Sequence, residues 1–229
     1  MIRNMRLAVL FSGGKDSCYT IMKAREQGYK VNVLITIIPR STDSRLFHYP
    51  CVEFTRFQAE AMKLPISIYN IDSEGDYEVE KLTKHLSEVK RIFKIEGIAS
   101  GALASRYQKS RFEDAAGRVG LKCFTPLWGM DPIHLLNEQL NTGMEAMIVA
   151  VAALGLGQDW LGRILDREVT KTLLKIQGNC GVNPVGEGGE YETFVLNAPI
   201  FWRRLKITGY RKLWFGDRGH IEIDGVEFE

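Results

Sequence analysis

The chain has 229 residues, 45% hydrophobic and 25% charged, which is enough for one large domain or two small ones around a true core. Thirty Lys and Arg against 28 Asp and Glu leave a net charge of +2. That balance excludes a disordered tail or a fibre, and it does not advertise a nucleic-acid coat or a membrane-adhering surface. Cys18, Cys51, Cys123 and Cys180 lie far apart with no C-x-x-C pair, so they read as reduced thiols rather than a zinc site or a disulfide framework. The N-terminal MIRNMRLAVLFSGGKDS is no secretory signal. The longest apolar stretch, 144–157, carries Glu145 and is too short to span a bilayer, so the expectation is a soluble, cytoplasmic protein.

Leu7-Ala8-Val9-Leu10-Phe11 is a continuous apolar run, the pattern of a parallel strand buried on both faces. It ends in Ser12-Gly13-Gly14, after which a helix begins near Asp16 and stops at Gly28. A second buried strand covers 31–38, a helix 51–63, and a third strand the segment ISIYNI after Pro65. Val79, Leu82, Leu86, Val89 and Phe93 form one stripe of a long charged helix over 77–95. A short fourth strand ends at Ile98 to Ala102, a helix covers 108–119, and a fifth strand 121–124. This cadence predicts an α/β fold, a doubly wound five-stranded parallel sheet whose ligand sits at the carboxyl ends of its strands.

The character changes after Pro126. Helices are expected over 133–140 and 167–177, a strand over 147–151, a polar glycine-rich stretch over 178–189, and a β-like tail turning at 216–219. Trp202 and Trp214 read as core aromatics. The division is therefore 1–125 as one domain and 126–229 as a smaller mixed α+β domain, the two packed together.

The sharpest motif is Ser12-Gly13-Gly14-Lys15-Asp16-Ser17, set between a buried strand and a helix. Its glycines let backbone amides close on an anion, the helix N-terminus adds its dipole, Lys15 adds a cation, and the hydroxyls of Ser12 and Ser17 can donate to phosphate. Asp16 suits the orientation of Mg²⁺ or of the loop. The motif is neither G-x-x-x-x-G-K-[ST] nor G-x-G-x-x-G. It resembles the pyrophosphate-binding SGGxDS loop of the ATP pyrophosphatases, which cleave ATP between the α and β phosphates. That resemblance implies a HUP-like PP-loop fold.

Two further segments narrow the choice: Gly101-Ala102-Leu103-Ala104-Ser105-Arg106-Tyr107 running to Arg111, and Gly186-Glu187-Gly188-Gly189-Glu190-Tyr191-Glu192-Thr193. With SGGKDS and the Asp159-to-Arg163 segment, they make the chain similar to the diphthine–ammonia ligase family over most of its length. The resemblance implies ATP and Mg²⁺ as cofactors and ammonium as nitrogen donor. It implies as acceptor a diphthine carboxylate on translation elongation factor 2, activated as an acyl-adenylate.

On that resemblance Ser12 to Ser17 hold the β and γ phosphates with Mg²⁺ on Asp16. Gly101, Ala102 and Ser105 lie beside the α-phosphate and ribose, and Tyr107 and Arg111 project towards the transferring group. Lys15, Asp16, Arg111, Glu187, Glu190 and Glu192 form the catalytic set. His48, Tyr107, Gly188, Gly189, Tyr191 and Thr193 are the candidates for contacting the substrate, with Trp160 a further aromatic for its trimethylammonium group. Arg111 reads equally as a solvated helix residue, and a lone loop histidine such as His48 is often incidental. Three carboxylates within the six residues 187–192 repel one another unless they meet a cation or share a function. A tRNA-modifying pyrophosphatase and a non-catalytic ATP-binding regulator stay open as alternatives, the former without paired catalytic cysteines or a broad basic face. No direct nucleic-acid partner and no membrane are expected. The sequence leaves the oligomeric state open, a homo-oligomer included.

Overall fold

The computed structural model describes residues 4–39, 51–71 and 76–229. Five strands, β1 (Arg6–Leu10), β2 (Lys30–Pro39), β3 (Ile66–Ile71), β4 (Gly97–Ala99) and β5 (Lys122–Phe124), pair in parallel in the order β3-β2-β1-β4-β5. They alternate with helices α1 (Lys15–Glu26), α2 (Thr55–Ala61), α3 (Asp76–Phe93) and α4 (Arg106–Arg118), which is the doubly wound arrangement the sequence predicts. The connections reverse direction at β1, whose neighbours are β2 on one side and β4 on the other. At that switch point the loops after β1 and β4 diverge to opposite faces and leave a crevice between them.

β1 shows why the run is apolar throughout. Leu7, Val9 and Phe11 pack into one core with α1, whereas Ala8 and Leu10 pack into a second core with Leu82, Leu86 and Val89 of α3 and Phe112 of α4. The first of these cores does not stop at the parallel sheet. It continues into an antiparallel sheet built from β6 (Glu145–Val151), β7 (Tyr191–Asn197), β8 (Leu205–Trp214) and β9 (Gly219–Phe228) in the order β7-β6-β9-β8. Residues on both sides of position 126 thus share one apolar interior.

Helices α5 (Pro132–Asn141) and α6 (Arg167–Cys180) have clear start signals. Asp131 accepts the His134 amide at 2.8 Å with Pro132 in the first helical position, and Asp166 accepts the amides of Glu168 and Val169. α6 ends on Gly181 at φ +71°, a conformation glycine adopts without strain.

Three expectations change. The helix expected over 51–63 opens as a single 3-10 turn at Val52–Phe54 before α2, because Cys51 is left-handed at φ +66°. α4 starts two residues earlier than expected, since Ser105 caps it by accepting the Gln108 amide at 3.3 Å. Trp202 is 51% exposed rather than core; its Nε1 donates to the Glu60 carbonyl at 3.1 Å. Burial raises the thiol pKa of Cys18 and of Cys51, the latter to about 12, so both are inert at neutral pH.

Leu86 is fully buried between α3 and the sheet. Leu86→Ala is expected to lower the unfolding free energy by about 2–5 kcal/mol, read from urea denaturation followed by far-UV circular dichroism.

Candidate active site

The crevice at the switch point is a cavity of about 130 Å³ bounded by the phosphate-type loop, the loop after β4, and the start of β7.

The loop Ser12–Ser17 is held from the second half of the chain. Gly13 sits at φ +84°, and its carbonyl accepts from the Val195 amide at 3.0 Å and from Gln58 Nε2 at 2.8 Å. A Cβ on Gly13 would stand 2.6 Å from Gln58 Oε1, so glycine is needed there for both conformation and space. The Lys15 amide donates to Thr193 Oγ1 at 3.1 Å. The Lys15 side chain is buried, donating to the Val185 carbonyl at 2.6 Å and to Asp16 Oδ2 at 2.8 Å, with the Tyr191 ring 5.4 Å away. A buried ammonium needs such partners. The other Asp16 oxygen, Oδ1, accepts from Gln139 Nε2 at 2.8 Å. Ser12 Oγ donates to Ser17 Oγ at 3.2 Å, and Ser17 Oγ donates to the Gly14 carbonyl at 3.0 Å. In this arrangement most of the side-chain donors expected to hold phosphate hold the loop itself.

The acidic motif divides. Glu187 lines the crevice and accepts from the Ala104 amide, tying its turn to the loop after β4. Glu192 and Thr193, on β7, line it too. Glu190 does not: its Oε1 accepts from the Asn183 amide at 3.1 Å, bracing the 183–190 turn, while its Oε2 is buried without a partner. The Glu190 carboxylate also packs on Gly188, where an added Cβ would meet Glu190 Oε1 at 2.8 Å. Gly189, at φ +82°, closes the turn. Tyr191 is buried, its hydroxyl donating to the Pro184 carbonyl at 2.7 Å. Burial foremost pushes the Glu192 carboxyl up to about 8; Asp16 and Glu190 add to the rise and Lys15 opposes it.

The β4 side brings Ser100, Gly101 and Ala102 into the crevice. Gly101 is pressed against the main chain of Asp16, where an added Cβ would lie 3.1 Å from the Asp16 carbonyl carbon. Ser105, expected beside the ribose, serves as the cap of α4 and lies outside the lining. The early start of α4 also changes which side chains face inward: Gln108 and Phe112 line the crevice. Tyr107 and Arg111 instead stack on each other at 3.8 Å, and Arg111 borders a separate surface depression with Tyr77 and Asp114. Trp160 is buried with the Arg163 guanidinium 5.1 Å from its ring, away from the crevice. His48 lies outside the described residues.

Sequence reasoning passed over Gln58 and Gln139, both buried. Each carried a signal: Gln58 follows Thr55 by three positions, and Gln139 follows Leu135 by four, so both amides fall on stripes that are otherwise buried in the core.

Residues 5–123 match the family model of the diphthamide synthase N-terminal domain, and 131–227 that of the diphthamide synthase C-terminal domain. The chain belongs to the diphthamide synthase family. A Homo sapiens relative named diphthine–ammonia ligase is 37% identical over 221 residues, covering 88% of this chain and 82% of its own. A Danio rerio relative of the same name is 35% identical over 243 residues, covering 98% and 94%. By family the chain is therefore a ligase. A U34-tRNA thiolase structure from Methanococcus maripaludis aligns over 82% of this chain and 71% of its own at 16% identity, with a TM-score of 0.37, and carries no argument. Among the described residues no helix is long and apolar enough to cross a membrane.

The raised Glu192 pKa has a consequence for stability. The folded chain holds this proton more tightly than the unfolded chain does, so the contribution is intact below the ordinary carboxylate range and is lost as pH rises through about 8. Glu192→Gln is expected to remove that part of the decline. In thermal unfolding at pH 5 and pH 9, the variant should gain on the wild type at the higher pH; an identical slope in both proteins would reject burial as the cause.

Proposed function

We propose that this chain is an ATP-dependent diphthine–ammonia ligase that converts the diphthine carboxylate of translation elongation factor 2 to an amide in the cytoplasm. The observation that carries the reading is the meeting of the SGGKDS loop and the EGGEYET segment in one crevice, joined through Lys15 to Val185 and Thr193. The division at residue 126 into a nucleotide part and a substrate part belongs to the same proposal.

In the first step a carboxylate oxygen bonds to the α-phosphorus of ATP, the bond to the bridging α–β oxygen breaks, and pyrophosphate leaves. Ammonia then bonds to the acyl carbon and AMP leaves. The first-turn amides of α1 and the side chains of Ser12 to Ser17 receive the β and γ phosphates, which requires some of the loop's internal hydrogen bonds to be exchanged for bonds to phosphate. Leu10, Ile35, Ile37 and Phe112 offer an apolar wall suited to a base.

Three carboxylates, Asp16, Glu187 and Glu192, line the crevice, and Lys15 is the one Lys or Arg among its described lining residues. A polyphosphate in such a place calls for a divalent cation, so the donor set fits Mg²⁺, with Asp16 as its holder. When bound, Mg²⁺ neutralises phosphate charge. Glu192, raised to about 8, holds its own proton at neutral pH and takes one from ammonium only in its ionised form. Glu190 supports the turn that carries Glu187, and Gly188 and Gly189 shape that turn beside the acceptor. Tyr107 and Arg111, both half-buried and outside the crevice lining, are left as candidates for meeting the protein substrate rather than the phosphates.

The test is a product assay with Mg²⁺-ATP, ammonium chloride and elongation factor 2 bearing diphthine, following AMP and the modified residue by mass spectrometry. AMP release matched to amide formation is the expected result; ATP binding without AMP release would instead favour a non-catalytic regulator. Glu192→Gln should keep ATP affinity within a few-fold while slowing amide formation by roughly 100-fold or more.

A further inference from the structure

Five hydroxyl-bearing side chains line the crevice: Ser12, Ser17, Ser100, Tyr191 and Thr193. Four of them are partnered within the protein. Ser12 bonds Ser17, Ser17 bonds the Gly14 carbonyl, Thr193 accepts the Lys15 amide, and Tyr191 donates to the Pro184 carbonyl. The Ser100 hydroxyl is different. Ser100 is 2% exposed, and its Oγ has no hydrogen-bond partner among the described residues.

Burying a hydroxyl unpaired is unfavourable, and a small apolar residue would fill the same space at no such cost. The main chain of Ser100 is fixed, its amide donating to the Phe124 carbonyl at 3.0 Å at the end of β4. Its neighbour Gly101 packs directly on the Asp16 backbone. The hydroxyl therefore lies at the seam between the β4 end and the first turn of α1.

Resting on the ligase reading, we propose that the Ser100 hydroxyl is a nucleotide ligand that donates its hydrogen bond to the α-phosphoryl group, on the AMP side of the bond that breaks. With the β and γ phosphates on the first turn of α1, the next phosphoryl group passes the seam where Ser100 stands. The loop hydroxyls serve the departing pyrophosphate, and Ser100 serves the part that stays.

Calorimetric titration of the full chain with ATP, AMP and pyrophosphate, each with Mg²⁺, tests this beside ligand-free thermal unfolding. Ser100→Ala is expected to unfold at or above the wild-type temperature, to bind ATP and AMP about tenfold more weakly, and to bind pyrophosphate as the wild type does. Ser100→Cys keeps the volume but donates weakly, so it should follow the alanine variant. Unchanged AMP affinity in Ser100→Ala overturns the proposal. So does weakened pyrophosphate binding, or a lower unfolding temperature without ligand, which marks the hydroxyl as structural. A wild type that binds neither ATP nor AMP overturns the ligase reading itself. A wild type that binds both, with an alanine variant that binds them equally well, overturns only the role of Ser100.

Discussion

A lysine ammonium that is 4% exposed has to be solvated by protein, and much of this structure follows from where Lys15 finds its partners. One is the adjacent Asp16; the other is the Val185 carbonyl, 170 positions along the chain. Thr193 and Val195 add main-chain anchors to the same loop, and Gln58 clamps Gly13 and Val195 with one amide nitrogen. The loop conformation is thus not a local property of SGGKDS. It exists because β7 lies alongside it, and β7 lies there because the core behind Leu7 and Val9 runs on into the antiparallel sheet. Packing of the two sheets comes first, the loop geometry second, and the crevice is what remains between them.

The charge in that crevice is uncommon for a polyphosphate site. Its described lining offers three carboxylates and a single cation that is already engaged. Burial foremost raises the Glu192 carboxyl pKa there; Asp16 and Glu190 add to the rise and Lys15 opposes it. Every proposed ligand of the reaction other than the phosphates is cationic or brings a cation: Mg²⁺ with the nucleotide, ammonium, and the quaternary ammonium of diphthine. An acidic lining favours them all, and under the proposed reaction ATP would enter with its metal.

The parallel sheet was legible because burial on both faces writes itself as unbroken apolar runs, as Leu7 to Phe11 and Val31 to Ile38 show. The long helix was legible from the stripe through Leu82 and Leu86. β7 was passed over because its first residues belong to the acidic motif and follow the turn-forming Gly188-Gly189-Glu190, although Tyr191, Thr193, Phe194 and Val195 are strand-favouring residues. Its burial comes from partners distant in sequence. The inward face of α4 was misassigned for a different reason: the cap at Ser105 fixes the first turn, and so turns Gln108 and Phe112 rather than Tyr107 and Arg111 to the crevice. The loop motif gave the address of the site, and the tertiary contacts decided which neighbours share it.

Buried oxygen atoms without partners gather around this site. Gln58 Oε1, Gln139 Oε1 and Glu190 Oε2 have no partner among the described residues, and each belongs to a side chain whose other polar atom holds the Ser12–Ser17 loop or the turn beside it. Leaving one such atom buried and unpaired costs about 1–3 kcal/mol, so an apolar residue at any of these positions would be favoured by stability alone. What an apolar residue cannot do is point a neutral donor at the Gly13 carbonyl or at Asp16 without cancelling the Asp16 charge. A lysine or arginine in place of Gln139 would pair with Asp16 and cancel its charge. The glutamine fixes the carboxylate's direction and leaves its charge in place. The orphaned atoms are the structural trace of that choice, in which a site of defined geometry and net negative charge is kept at the expense of a better-satisfied interior.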